Sequence, residues 1–186
     1  MPGKTLVEKR ILMDAATMDA TLDRMVAALV PLVAGGNACL VGIQTGGAHL
    51  ARRLQERLAA KGLPTPPLGV LDITLYRDDT FLGLQQPVVR HTDVPFDISG
   101  QDVILVDDVL YTGRTIRAAL DALVDFGRPR LIRLVVLVDR GLREYPIQAD
   151  VTGATVDTVA IETVQVELTE MGCATERVVI YERESR

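Results

Sequence analysis

Residues 103–115 read VILVDDVLYTGRT: an apolar run, two adjacent carboxylates, a short loop holding one glycine, and the start of a helical pattern. An apolar run this short, bounded by polar residues, reads as a buried strand, and a strand passing through a tight loop into a helix is the repeating unit of an α/β sheet. The rest of the chain repeats the alternation. Residues 5–13 read as a strand. Residues 15–34 read as a helix with Leu22, Met25, Val26, Leu29 and Val33 on one face, capped by Asp14 or Thr17, and with Pro31 able to kink or shorten it. Strands follow at 38–43, 68–76, 102–106 and 131–138, and helices at 48–61 and 114–126, with Gly62 and Gly127 as stops. The last forty residues alternate as β structure. The expectation is a mainly parallel sheet with helices on both faces and one domain over residues 1–186.

Composition narrows the function. Hydrophobic residues make up 48% of the 186 positions and charged residues 24%, the balance of a globular protein with an adequate core. Aromatic residues are only 4%, Trp is absent and the net charge is −5, so a stacking platform or a general polyanion binder is a poor fit. Cys39 and Cys173 stand far apart without a CxxC pair, and His49 and His91 lack metal-ligand spacing. With no apolar run of membrane length and no signal-peptide pattern at the start, the expected location is the cytoplasm.

Asp107 and Asp108 fall at the carboxyl end of a strand, where open α/β sheets bind ligands. Vicinal hydroxyls of a ribose can donate to such a pair. Tyr111, Thr112, Gly113, Arg114 and Thr115 then open a helix, whose unpaired N–H groups suit a phosphate. A diol site and a phosphate site one ribose apart is a ribose 5-phosphate site. A second glycine-bearing turn, Gln44-Thr45-Gly46-Gly47, offers another set of amides for an anion. It is not a P-loop, because Ala48-His49 stand where Lys-Ser/Thr is required.

These segments resemble the PRPP-binding motif of type I phosphoribosyltransferases. Over nearly the whole chain the sequence is similar to the PyrR family, which joins uracil phosphoribosyltransferase activity to attenuation of pyrimidine-operon mRNA. Residues 41–47, 72–79 (DITLYRDD), 103–125 and 134–150 (LVVLVDRGLREYPIQAD) carry the resemblance. It implies the type I phosphoribosyltransferase fold, with a mobile β arm over 77–95 and a small β-rich hood.

The reaction it implies joins uracil to PRPP, with Mg²⁺ bound alongside the PRPP, giving UMP and diphosphate. Asp107 and Asp108 would hold the ribose, Tyr111 to Thr115 the 5-phosphate, and Thr45, Gly46 and Gly47 the diphosphate. Arg77 and Arg90 belong to the arm, Arg140 would contact the nucleotide, and Val164 would line the base pocket. Asp108 is also a candidate base toward uracil. A homodimer or higher assembly is implied as well.

The chain departs from the family pattern in two places. Gln44 and Gly46 replace the Lys and Arg of Lys-Thr-Arg-Gly, which should weaken the hold on diphosphate. The RNA face is depleted: residues 18–33 keep only Arg24 against Asp19 and Asp23, and Leu142 and Ala154 replace a common His and Lys, leaving Arg140 and Arg143. RNA affinity rests on Lys and Arg at phosphates, so this argues against classical attenuation. Two other readings stand beside the uracil enzyme: a UMP-sensing mRNA-binding attenuator with weak catalysis, and a phosphoribosyltransferase for another base such as a purine.

Overall fold

The computed structural model describes residues 6–77 and 91–183. Its centre is a five-stranded sheet in the order β3-β2-β4-β5-β6, with every neighbouring pair parallel. The strands are β2 (Ala38–Ile43), β3 (Leu68–Leu71), β4 (Asp102–Leu110), β5 (Leu131–Asp139) and β6 (Val151–Thr155). Three helices flank it: α1 (Ala15–Val33), α2 (Gly46–Ala60) and α3 (Arg114–Leu123). β1 (Leu6–Met13), β7 (Glu162–Glu167) and β8 (Arg177–Arg183) form a separate antiparallel sheet in the order β1-β8-β7. This is the expected α/β architecture with its hood. The sequence did not reveal that the first strand belongs to the hood rather than to the main sheet.

Two apolar clusters lie on opposite faces of the sheet. One joins Leu22, Leu29, Leu50 and Leu54 to Ile104, Val106 and Leu137, and continues into Val164, Val178 and Ile180 of the hood. The other joins Leu105, Val103 and Val136 to Ile116, Ala119 and Leu123 of α3. Burial on both faces is why β2 and β4 read as continuous apolar runs. Cys39 is fully buried in the second cluster, and burial pushes its thiol up to about 11, which makes it a packing residue.

Several element boundaries differ from the sequence reading, each for a local reason. β3 ends at Leu71, not residue 76, because the Asp72 carboxylate accepts from Thr74 N (2.9 Å) and Thr74 Oγ1 (2.6 Å) and turns the chain into a short 3-10 turn, Thr74–Tyr76. β4 continues past Val106 to Leu110 because β5 keeps pairing with it, Val109 opposite Val138 and Leu110 opposite Asp139. α2 begins at Gly46, so both glycines sit in its first turn. α3 stops at Leu123 and tightens into a 3-10 turn, Val124–Phe126, before Gly127. Asp14 is the cap of α1, accepting from Thr17 N at 2.8 Å, and Pro31 sits inside the final turns of that helix. Of the arm, Arg77 and the returning Asp93, paired with Val70, are described; Asp78, Asp79 and Arg90 lie outside the described residues.

Two glycines set how closely α2 meets the sheet. A Cβ on Gly42 would fall 2.5 Å from Ala48 Cα and 2.7 Å from Gly47 O, and one on Gly47 would fall 2.9 Å from Asp107 Cα. All of these are backbone atoms that cannot step aside singly. Gly42→Ala should therefore cost about 1–3 kcal/mol of stability, the usual penalty of overpacking. Urea denaturation of the variant would measure it, and an unchanged midpoint would mean that α2 can shift.

Candidate active site

β2 pairs with β4 only as far as Gly42 opposite Val106, whereas β5 accompanies β4 to Leu110. Beyond Val106 the β2 side of β4 is open, and the chain order reverses here: β3 lies outside β2, and β4 returns on the other side. Such a reversal leaves a crevice at the carboxyl ends of the strands, the usual ligand site of an open parallel sheet. Asp107 and Asp108 stand on the stretch of β4 that has no β2 partner, and the first turn of α2 lies against them. A Cβ on Gly46 would lie 2.6 Å from Asp108 Cγ, so the diphosphate-type turn and the acidic pair are in direct contact.

The carboxylates are in an unfavourable setting as anions. Asp107 is 5% exposed. Its pKa is raised well above the carboxylate range, first by burial and second by the charge of Asp108. The Asp108 carboxyl is also raised, by burial, although the N–H of Val109 donates to its Oδ1 at 2.9 Å. The N–H of Asp108 donates to Asp107 Oδ1 at 3.0 Å. What is costly here is charge: two carboxyls buried side by side are disfavoured as anions, and hydroxyl donors from a ligand would ease that cost.

The loop after β4 shows the opposite shortage. The carbonyl oxygens of residues 110–113 are all taken, three by the segment after β5 and one by α3 itself. Leu110 O accepts from Arg140 N (3.0 Å), Tyr111 O from Arg143 Nη1 (2.6 Å), Thr112 O from Glu144 N (2.9 Å) and Tyr145 N (3.0 Å), and Gly113 O from Arg117 N (2.9 Å). In a trans peptide the carbonyl and the following N–H point in opposite directions. Carbonyls held outward therefore aim the next amides inward. The N–H groups of Thr112, Gly113 and Thr115 have no acceptor among the described residues, and Gly113 takes φ +92°, a conformation that favours glycine. The amides face a cavity of about 250 Å³ lined by Arg77, Val109 and residues 110–116. Unfilled donors at a helix start, with an arginine on the wall, make an anion site.

Other chosen residues fall in different places. The Arg114 side chain turns to Glu144 (2.7 Å) and lies 5.3 Å from the centroid of the Tyr145 ring, so its contribution to the loop is its backbone. Arg140 is 4% exposed, and its guanidinium donates to Thr158 Oγ1 (3.0 Å), Val159 O (3.2 Å) and Glu162 O (2.8 Å) while stacking 4.0 Å from the centroid of the Tyr111 ring. It joins the loop to the hood rather than presenting an open cation. Val164 is 7% exposed and packs with the core cluster, so the structure places it as core. Thr45 precedes α2 across a cis Gln44–Thr45 peptide, and Gln44 N donates to Leu71 O at 2.9 Å.

Residues 14–171 match the phosphoribosyl transferase domain model. The bifunctional protein PyrR of Pelotomaculum thermopropionicum is 51% identical over 176 residues, covering 94% of this chain and 97% of that protein. The bifunctional protein PyrR of Thermus thermophilus is 51% identical over 178 residues, covering 95% and 97%. The chain belongs to the PyrR family of phosphoribosyltransferases. Among solved structures, the hypoxanthine phosphoribosyltransferase of Trypanosoma cruzi superposes with a TM-score of 0.71 at 17% identity, over 95% of this chain and 98% of that one. That of Staphylococcus aureus gives 0.69 at 19%, over 92% of each chain. These distant structures share the fold.

Within this PyrR chain, the sequence reading missed what Arg143, Glu144 and Tyr145 do. By residue type Arg143 reads only as a basic residue of an RNA face. In the structure its guanidinium faces inward, onto backbone carbonyls and Asp139. The i,i+4 spacing of Asp139 and Arg143 was the available signal.

The raised carboxyls give a stability prediction. The folded chain keeps protons on Asp107 and Asp108 that an unfolded chain releases. This contribution is complete below about pH 4 and is lost as pH rises through the folded-state pKa values. Asp107→Asn should therefore melt higher than the parent at about pH 8, with the gap closing toward about pH 4. Thermal unfolding across that range reads it, and a variant less stable at high pH would contradict the burial argument.

Proposed function

We propose that this protein transfers the phosphoribosyl group of PRPP to uracil, forming UMP and diphosphate, and works as a PyrR-type regulator of pyrimidine-operon expression. One observation carries the reading: a set of loop amides without acceptors among the described residues follows a buried carboxylate pair on a single strand-loop-helix segment, the order in which a ribose 5-phosphate would meet them. The choice of uracil rests on DITLYRDD and VLVDRG, the segments that resemble the uracil-specific family. The relatives' common name, bifunctional protein PyrR, supports it.

In the reaction the bond from ribose C1 to N1 of uracil forms, the bond from C1 to the diphosphate oxygen breaks, and the N1 proton leaves. Positive charge develops on the ribose ring in the transition state. Asp107 and Asp108 accept from the ribose hydroxyls and lie beside that charge, so ionisation, costly in the empty site, is rewarded as the transition state forms. The amides of Thr112, Gly113 and Thr115 hold the 5-phosphate, with Arg77 closing the cavity. The first turn of α2, from Gly46, offers backbone amides to the diphosphate, with no cation from position 44 or 46. Mg²⁺ travelling with PRPP fits this donor set, since it needs few protein carboxylates and keeps substrate oxygens and waters; Asp107 and Asp108 are the residues that would face it. Its chemistry is to neutralise the departing diphosphate.

The alternative of an RNA-binding sensor with weak catalysis has less support. Arg140 and Arg143 are committed within the fold, and Arg24 donates to Thr21 Oγ1 (3.1 Å) and Gly153 O (3.2 Å). Of these three, only Arg24 is exposed to a pyrimidine-operon mRNA leader.

Purified protein given Mg²⁺ and PRPP should make UMP from uracil and no nucleotide from hypoxanthine or orotate. Asp108→Asn should lower kcat/KM by about a hundredfold, the scale on which a preorganised charge contact acts. Product from hypoxanthine alone would move the protein to purine chemistry, and no product from any base would remove the enzymatic reading.

A further inference from the structure

Arg143 does not line the phosphate cavity, yet it holds the outer side of the loop that does. Its guanidinium donates to Tyr111 O (2.6 Å), to Gly141 O (3.1 Å) and to Ile147 O (3.0 Å), and pairs with Asp139. Asp139 ends β5 and stands in register with Leu110, the last residue of β4 before the loop. The clasp is thus anchored on the strand beside the one that carries the loop. Between its two ends the chain turns through Gly141 at φ +72° and Leu142 at φ +60°, the latter a left-handed leucine. A leucine does not adopt that conformation unless its surroundings hold it there. Asp139 Oδ1 accepts from Gly141 N (3.0 Å) and secures the turn from the other side.

We propose that Arg143 is a positioning residue for 5-phosphate binding. Tyr111 O and the Thr112 N–H belong to one peptide plane and point opposite ways. By fixing the carbonyl outward, Arg143 aims the Thr112 N–H at the phosphate. Glu144 and Tyr145, the residues that follow it, do the same for the next plane by taking Thr112 O. One planar side chain thereby sets both the loop and the turn that braces it. Lysine cannot replace it, because an ammonium can keep the Asp139 pair but cannot reach several carbonyls in one plane.

This role rests on the ribose 5-phosphate reading of the cavity, and the experiment separates the two. Ribose 5-phosphate binding is measured by calorimetry for the parent, Arg143→Lys and Arg143→Met, beside their thermal unfolding and the KM values for PRPP and uracil. The expected result is a loss of ribose 5-phosphate affinity of about tenfold or more in both variants, the scale of a lost hydrogen bond from a charged group. KM for PRPP should rise with it while KM for uracil stays within about twofold, well below that scale. If Arg143→Met fails to fold, Arg143→Lys decides. Parental affinity for ribose 5-phosphate in a folded Arg143→Lys overturns the positioning role alone. Equal rises in KM for PRPP and uracil indicate general loosening and overturn it too. A parent that ignores ribose 5-phosphate overturns the reading of the cavity, and the role of Arg143 with it.

Discussion

The site depends on the unequal length of two strand pairings. β4 loses its β2 partner after Val106 but keeps β5 as far as Leu110. That overhang is rigid, being hydrogen-bonded on one side, and open on the other. It carries Asp107 and Asp108 past the β2 pairing and delivers the following loop to the start of α3. The opening on the β2 side would fill with water or side chains were it not for Gly42 and Gly47, which bring the start of α2 against the backbone of β4. Two helix starts, α2 and α3, and one carboxylate pair are thereby gathered at one end of the sheet by backbone geometry.

The empty site is balanced between two unmet demands. The carboxylates are buried side by side, which makes their ionisation costly, and the loop amides of Thr112, Gly113 and Thr115 have no acceptor among the described residues. A sugar phosphate satisfies both, its hydroxyls on the carboxylates and its phosphate on the amides. Arrangements of this kind reduce the stability of the unliganded fold and favour the ligand that fits, a common exchange at active sites. Gly46 extends the logic. Its missing side chain leaves room for the Asp108 carboxyl against α2, so an arginine at this position would require that carboxyl to move.

Much of this was legible in the sequence. The apolar runs of β2, β4 and β5 announced strands buried on both faces, and VILVDDVLYTGRT placed the ribose and phosphate functions together. The misread parts were those decided by partners distant along the chain. β4 reads as ending at Val106 because carboxylates are poor strand formers, and only the register with β5 carries it on. β3 reads as running to Tyr76, since nothing apolar breaks the pattern and the break comes from one Asp72 side chain. β1 reads as an ordinary first strand, and its pairing with β8 spans almost the whole chain. Arg143 shows the same limit. Residue type marks a cation, while only packing tells whether its guanidinium faces a ligand, a ring or a carbonyl. Arg143 looked like a surface cation and is a clasp.

Phosphate recognition depends on the inward amides of the loop after β4. Amide-resolved NMR of the labelled protein, titrated with UMP and separately with uridine, tests them most directly. The Thr112, Gly113 and Thr115 amides should shift with UMP as hydrogen bonds to phosphate form, and hold still with uridine, which lacks the phosphate. Shifts confined to other amides, or equal for both ligands, would mean that the phosphate is bound elsewhere.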